Sequence, residues 1–303
     1  MPESYSSRFP SPAARKDVVR MERTDPLLIF VHIPKTAGTT VSYVMWRQFP
    51  RGQAIDLNAS TVEEARQRWN AIEPEQRARV RCIRGHLPFS PELFAPRVTR
   101  FFTILRDPVQ RAVSEYYYGL TSPRRLLYAP LVRSRMTLDQ FVRSDLAAQV
   151  FNGQTRMLAG AHADATPRAL LDLAIANLQK HMAVVGITER LDGTLLLCRA
   201  VLGWRSVIYR RVNVTRWRPP LEAISPATLS AIERGNSLDR ELYRVGCARF
   251  EGLLREHHIT NAEIAALHRA GRIYGAARRM IGLPRKVWMG LRRGHAADAL
   301  ERR

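Results

Sequence analysis

Apolar runs alternating with helical patterns predict an α/β fold, built on a mainly parallel β-sheet flanked by helices on both faces. Three segments carry that prediction. LLIFVHIPKTAGTTVSYVMWRQF, residues 27–49, joins an apolar run to a helical pattern through a tight loop. RFFTILRDPVQRAVSEYYYG, residues 100–119, repeats the order. HMAVVGI followed by TERLDGTLLLCRAVLGW, residues 181–204, repeats it again, with Gly193 tolerated inside the helix.

The first strand is expected to end at Ile33, the loop PKTAGTT to turn the chain, and a helix to open near Gly38. A helix start offers unpaired backbone N–H groups and the positive end of a dipole, so this order builds an anion cradle. Lys35 places a cation at its mouth. Thr36, Ala37, Gly38, Thr39 and Thr40 form the cradle itself, the threonines adding hydroxyl donors and Gly38 admitting an oxyanion close to the backbone. The lysine precedes the glycine, whereas in the Walker A loop it follows it and directly precedes Ser/Thr.

Between the two loops, ARVRCIRGHLPFSPELF, residues 78–94, reads as a short strand ending at Gly85–His86 and stopped by Pro88. His86 is thereby expected on the same sheet edge as the cradle. In the second loop segment, strand Phe101–Leu105 leads to Arg106, with Asp107 as N-cap and Pro108 at the first helical position. Arginine suits a forked grip on phosphate, and Ser114 lies two helical turns on. Helix starts are also signalled by Ser60 with Glu63 and Thr137 with Gln140, and by the pairs Thr166–Pro167 and Ser225–Pro226.

HIPKTAGTT resembles the 5′-phosphosulfate loop of PAPS-dependent sulfotransferases. It is most similar to the membrane-type carbohydrate sulfotransferase family of the heparan sulfate 2-O-sulfotransferase-like kind (sulfotransferase family 2), here as a soluble, bacterial-type member. The 100–119 segment resembles the same family's 3′-phosphate site, and the likeness extends through FNGQTRMLAG, residues 151–160, and VGITERLD, residues 185–192. The resemblance implies a P-loop-NTPase-like α/β fold and the donor 3′-phosphoadenosine 5′-phosphosulfate (PAPS), with PAP as product and no metal. It implies Lys35 and the 36–40 loop on the phosphosulfate, Arg106 and Ser114 on the 3′-phosphate, and His86 as catalytic base. Lys35 is then the cation that meets charge on the leaving oxygen, and a histidine of ordinary pKa about 6.5 is suited to take the acceptor proton. Asn213 and Thr215, with Arg216 and Trp217, fall where the family closes a late loop over the nucleotide. Asn152, Gln154 and Arg156 are read either as acceptor contacts or as the wet face of a helix, Glu189 as a first-turn helix acid, and His32 as a packing residue. The acceptor implied is a glycan or another sugar-containing molecule.

The formal charge of +21, from 48 Lys plus Arg against 27 Asp plus Glu, favours anionic partners. Residues 1–26 read as a disordered basic arm, 27–258 as the sulfotransferase domain and 259–303 as a basic, amphipathic helical tail with Ile273, Ala277, Met280 and Ile281 at helical spacing. That tail is read as packed on the domain by default, with a peripheral membrane surface or an acceptor as alternatives. No signal peptide or membrane span is legible, and three separated cysteines suggest reduced thiols, so the expected setting is cytoplasmic. Nucleic acid is not expected, because no helix-turn-helix, zinc or RNA-binding signature is present. The rival readings are a P-loop-type kinase or NTPase, and a non-catalytic basic protein that binds anionic polymers.

Overall fold

A computed structural model of the chain describes residues 26–121, 123, 125–160, 165–209 and 219–280. In chain order the elements run β1 (Leu27–Val31), α1 (Gly38–Met45), β2 (Ala54–Asp56), α2 (Val62–Asn70), α3 (Pro74–Arg79), β3 (Cys82–Gly85), β4 (Thr99–Leu105) and α4 (Pro108–Gly119). They continue α5 (Tyr128–Arg133), α6 (Leu138–Val142), α7 (Asp145–Ala148), α8 (Gly153–Ala159), α9 (Pro167–His181), β5 (Met182–Ile187), α10 (Leu191–Leu202), α11 (Pro226–Gly235), α12 (Ser237–Glu256) and α13 (Asn261–Met280).

The five strands form one sheet in the order β2-β3-β1-β4-β5, and every pairing is parallel. Each residue of β1 is buried, as are Phe101–Leu105 of β4. Successive strand residues point to opposite faces, so the sheet is covered on both sides, which is why these strands read as unbroken apolar runs. The main core gathers around the sheet. A smaller apolar cluster, including Tyr116, Leu131, Phe141 and Ile232, joins α4 to α5, α6 and α11.

Local signals start several helices as the sequence predicts. Asp107 accepts from the Gln110 N–H at 2.8 Å, and Thr137 with Gln140 closes a full capping box. Thr166 and Ser225 cap α9 and α11. The box expected at Ser60 and Glu63 is replaced by a cap one residue later: the N-cap Thr61 accepts from the Glu64 N–H at 3.1 Å, while the Glu64 carboxylate takes the N–H of Ser60, the residue before the cap, at 2.7 Å. Gly193 in α10 admits the Phe250 ring, whose Cζ would lie 3.0 Å from an added Cβ.

Helix α13 lies against α10, with Leu267 buried, His268 Nδ1 3.1 Å from the Asp192 carboxylate, and the Tyr274 hydroxyl 3.3 Å from that of Tyr43. Its packed side therefore follows Ile264, Leu267, Tyr274 and Gly275. The stripe expected through Ile273 and Ala277 is corrected, since both are exposed.

Candidate active site

Because β1 pairs with β3 on one side and β4 on the other, the carboxyl ends of these three strands lie side by side. His86 follows β3, the 34–40 loop follows β1, and Arg106 follows β4. From the central strand the chain departs first toward β2 and β3 and later toward β4 and β5. Such a reversal opens the ligand crevice of a parallel sheet.

In the loop, Lys35 and Ala37 both take left-handed backbone, with φ of 68° and 62°. That conformation costs a non-glycine residue on the order of 1–2 kcal/mol and persists where the surroundings enforce it. Ala37 directly precedes α1, and no side chain caps the helix, so its positive end is left to an anion. Thr36 is fully buried and its hydroxyl donates to the Ile33 carbonyl at 2.8 Å. This corrects the expected hydroxyl donor at position 36, whose side chain closes the turn instead. Thr40 is buried and Thr39 exposed at the helix start. Gly38 has a nearer reason to be glycine than the ligand: a Cβ there would stand 1.5 Å from Nε2 of His32.

His32 is buried and stacks on His86, their ring centroids 4.2 Å apart, and on Phe30 at 5.2 Å. The His86 Nδ1 lies 2.7 Å from the His32 carbonyl oxygen. A carbonyl only accepts, so Nδ1 carries the hydrogen and Nε2 keeps its lone pair. The His86 backbone N–H donates to Asn58 at 2.9 Å. Burial lowers the His86 pKa, the His32 hydrogen bond partly opposes that, and the Arg84 charge adds to the lowering. His32 is driven well below its usual value, by burial first and then by the charges of His86, Arg84 and Lys35. Arg84 in turn bridges Asp56 at 2.9 Å and donates to the Ser42 hydroxyl at 3.0 Å, which ties β3 to α1.

Arg106 donates from Nη1 to the Lys35 carbonyl at 2.9 Å, linking the two loops. Its Nε lies 3.8 Å from Glu189, whose carboxylate also accepts from the Asp107 N–H at 3.3 Å and from the Tyr243 hydroxyl at 3.0 Å. Glu189, expected as a helix-start acid, is thus a partner of Arg106. Ser114 is buried on α4, on the same helix face as Tyr118 four residues on. The Lys35 ammonium sits 3.2 Å from the Tyr118 ring centroid, and the Arg125 guanidinium 4.0 Å from it.

Gln154 is fully buried, and its amide takes both the N–H and the C=O of Arg106 at 2.9 Å. Asn152 accepts from the Leu238 and Asp239 N–H groups at the start of α12. Gln154 is corrected from an acceptor contact to scaffold, because both ends of its amide are engaged, and the Asn152 side-chain oxygen likewise serves the start of α12. Arg156 donates to the carbonyls of Gln149 and Phe151 and lines a cleft of about 610 Å³ that Pro34 also borders. Two further residues were not legible in sequence. Asp239 is fully buried and accepts from Arg111 at 3.3 Å, from the Thr155 hydroxyl and N–H at 2.8 Å, and from the Gln154 N–H at 3.2 Å. Glu115 lines the cleft. Asn213, Thr215, Arg216 and Trp217 lie outside the described residues.

A family model described as galactose-3-O-sulfotransferase matches residues 5–272. The chain belongs to that family of carbohydrate sulfotransferases. It is 27% identical over 242 residues to galactose-3-O-sulfotransferase 2 of Homo sapiens, covering 71% of this chain and 58% of the relative. The Sus scrofa protein of that name is likewise 27% identical, over 252 residues, with 72% and 59% covered. Heparan sulfate 2-O-sulfotransferase 1 of Mus musculus is 22% identical over 280 residues, covering 81% of this chain and 76% of that protein. The chain thus spans under three fifths of the length of the galactose-3-O-sulfotransferases it matches. The match to these relatives also overturns the cytoplasmic expectation, which is corrected here. Among the described residues no helix is long and apolar enough to cross a membrane, which does not argue for the cytoplasm.

Proposed function

We propose that the chain moves a sulfonate group from PAPS to a hydroxyl of a carbohydrate, with His86 as general base. The observation that carries this reading is the histidine pair: the His32 carbonyl holds the His86 Nδ1 hydrogen, which leaves a basic Nε2 next to a phosphate-type loop. The lowered His86 pKa keeps that nitrogen neutral at pH 7. The likeness to enzymes named for galactose and heparan sulfate supports a glycan acceptor.

In the proposed step the acceptor oxygen bonds to sulfur while its proton passes to His86 Nε2. The bond from sulfur to the bridging oxygen breaks on the far side, and adenosine 3′,5′-bisphosphate departs. Lys35 meets the charge on that oxygen, which requires its ammonium to turn from the Tyr118 ring. Arg106 and Ser114 hold the 3′-phosphate, and the uncapped start of α1 faces the 5′ side.

Thermal-shift titration separates this from the kinase reading. Adenosine 3′,5′-bisphosphate at a hundred times its Kd stabilises a single-site protein by about 2.7 kcal/mol, and ATP–Mg²⁺ is expected to do far less. Preference for ATP–Mg²⁺ sinks the proposal. His86→Asn should abolish transfer of labelled sulfate to glycans while leaving bisphosphate binding intact, and surviving activity would place the base elsewhere.

A further inference from the structure

We propose that the His32 side chain is a positioning residue for the base, its ring covering one face of the His86 imidazole so that Nε2 is the atom of that imidazole left to the acceptor. The assignment deepens the sulfonate-transfer reading and rests on His86 as base.

The hydrogen bond that fixes the His86 tautomer comes from the backbone carbonyl of residue 32, and any side chain there would leave that carbonyl in place. The imidazole therefore needs a reason of its own. Core packing does not supply one, because the residue is only 7% exposed and its Nδ1 is buried with no hydrogen-bond partner among the described residues. An unmet polar atom in the core destabilises, and an apolar side chain would avoid it.

What the ring does touch is His86. Phe102, Phe30, His32 and His86 form one stack, with successive centroids 4.5, 5.2 and 4.2 Å apart and interplanar angles of 7°, 27° and 29°. The stack thus runs from the buried centre of the sheet to its carboxyl edge. A hydrogen bond at Nδ1 alone lets the His86 ring swing about it, whereas a second ring against its face fixes the plane, and with it the direction of the Nε2 lone pair. A five-membered ring also suits the space. His32 Nε2 stands 1.5 Å from where a Cβ on Gly38 would be, so the longer ring of phenylalanine would press into the start of α1.

The same cover keeps water from the base. Burial is the first cause of the low His86 pKa, ahead of the opposing His32 hydrogen bond and the Arg84 charge. His32 is itself held neutral by burial and by the charges of His86, Arg84 and Lys35, so no second positive ring stands against His86 when it takes the proton. Of the charged neighbours, Arg84 is paired with Asp56 at 2.9 Å and the Lys35 ammonium lies on the Tyr118 ring.

The test is His32→Leu, which keeps the backbone carbonyl and much of the volume but not the flat ring. Affinity for adenosine 3′,5′-bisphosphate, read by calorimetry, should stay within about twofold. The kcat of transfer should fall about tenfold or more with the donor KM held, and the acid limb of kcat/KM should move up by about half a pH unit as water reaches His86. A role in packing alone would lower Tm without moving that limb. Imidazole ¹⁵N NMR of the unaltered protein gives a second reading that needs no variant: His86 should hold the Nδ1–H form, and His32 should stay neutral well below its ordinary pKa of about 6.5. In His32→Leu the His86 signals should report a mixture of tautomers. Unchanged kcat and pH profile in a folded His32→Leu protein, or two imidazoles titrating independently near the ordinary value in the unaltered one, overturns the assignment. If His86→Asn transfers sulfonate normally, the reading of His86 as base falls by itself; loss of the single His86 tautomer in His32→Leu would then still show that His32 fixes that ring.

Discussion

Replacing Gly38 by alanine puts a methyl group where the His32 ring stands. On the present backbone the new Cβ would lie 1.5 Å from Nε2, 2.1 Å from Cδ2 and 2.4 Å from Cε1 of that ring. Ordinary contact needs about 3.5 Å, so the ring or the loop must retreat by roughly 2 Å. Neither has much room. His32 is only 7% exposed and is wedged between Phe30 and His86. Overpacking of this kind costs about 1–3 kcal/mol, and alanine at a helix start recovers about 0.5–1 kcal/mol over glycine. The net loss of up to about 2.5 kcal/mol lowers Tm by up to roughly 10 °C for a domain near this size. Activity should suffer more, since a misplacement of about 1 Å near a reacting group costs on the order of 100-fold. Calorimetric melts, bisphosphate titration and kcat/KM together read the effect. The double variant His32→Ala with Gly38→Ala removes the obstacle and should be more stable than Gly38→Ala alone. A Gly38→Ala protein with unchanged Tm and kcat/KM, or losses that simply add in the double variant, would refute the reasoning.

Asp239→Ala strips a buried ion pair and three hydrogen bonds from one carboxylate, and is expected to cost about 3–5 kcal/mol, read as a fall in Tm; a change under about 1 kcal/mol would show the hub to be dispensable. Gln154→Leu leaves the Arg106 N–H and C=O without their present partners, so both a stability loss of about 1–3 kcal/mol and weaker bisphosphate binding by calorimetry are expected. Normal bisphosphate affinity in that variant would detach Gln154 from the site. The histidine pair sets a pH dependence. His32 and His86 both have folded pKa values below the ordinary one, so the unfolded chain binds protons that the folded chain refuses. Their contribution is therefore complete above about pH 6.5 and is lost as the pH falls through the folded values, at up to about 1.4 kcal/mol per pH unit for each group. Thermal melts from pH 7.5 to 5 should show the decline, and His86→Asn should reduce it while leaving the His32 part; a constant Tm in the unaltered protein contradicts the assignment.

What the sequence made legible was local. Asp107–Pro108 and Thr137 with Gln140 cap helices through contacts three residues long, so the residue string contains the whole interaction. The cap at residue 60 slipped by one because Ser60–Thr61 and Glu63–Glu64 satisfy the same spacing in two registers, and only the backbone conformation at Thr61 chooses between them. The packed side of α13 was misread for a related reason. Its close approach is made by small residues, with Gly271 near the Tyr209 carbonyl and Gly275 buried, and these carry no apolar signal.

The groups predicted to touch ligand and the groups that hold them in place come from different ranges of the chain. Lys35, His86 and Arg106 announce themselves beside turns and strand ends, whereas their supports are partners tens of residues away. An unbroken chain of hydrogen bonds runs from α12 to the phosphate loop: Asp239 accepts from the Gln154 N–H, the Gln154 amide clamps the Arg106 backbone, and Arg106 Nη1 donates to the Lys35 carbonyl. In sequence, Asp239 is one acid near the start of an amphipathic helix, and nothing within a few turns of it distinguishes a solvated charge from a buried one. Only when α8 folds against α12 does it acquire donors, and with them a reason to be aspartate. The 34–40 loop is therefore positioned from outside its own motif, and its left-handed Lys35 is held at the carbonyl by a network that the motif does not contain.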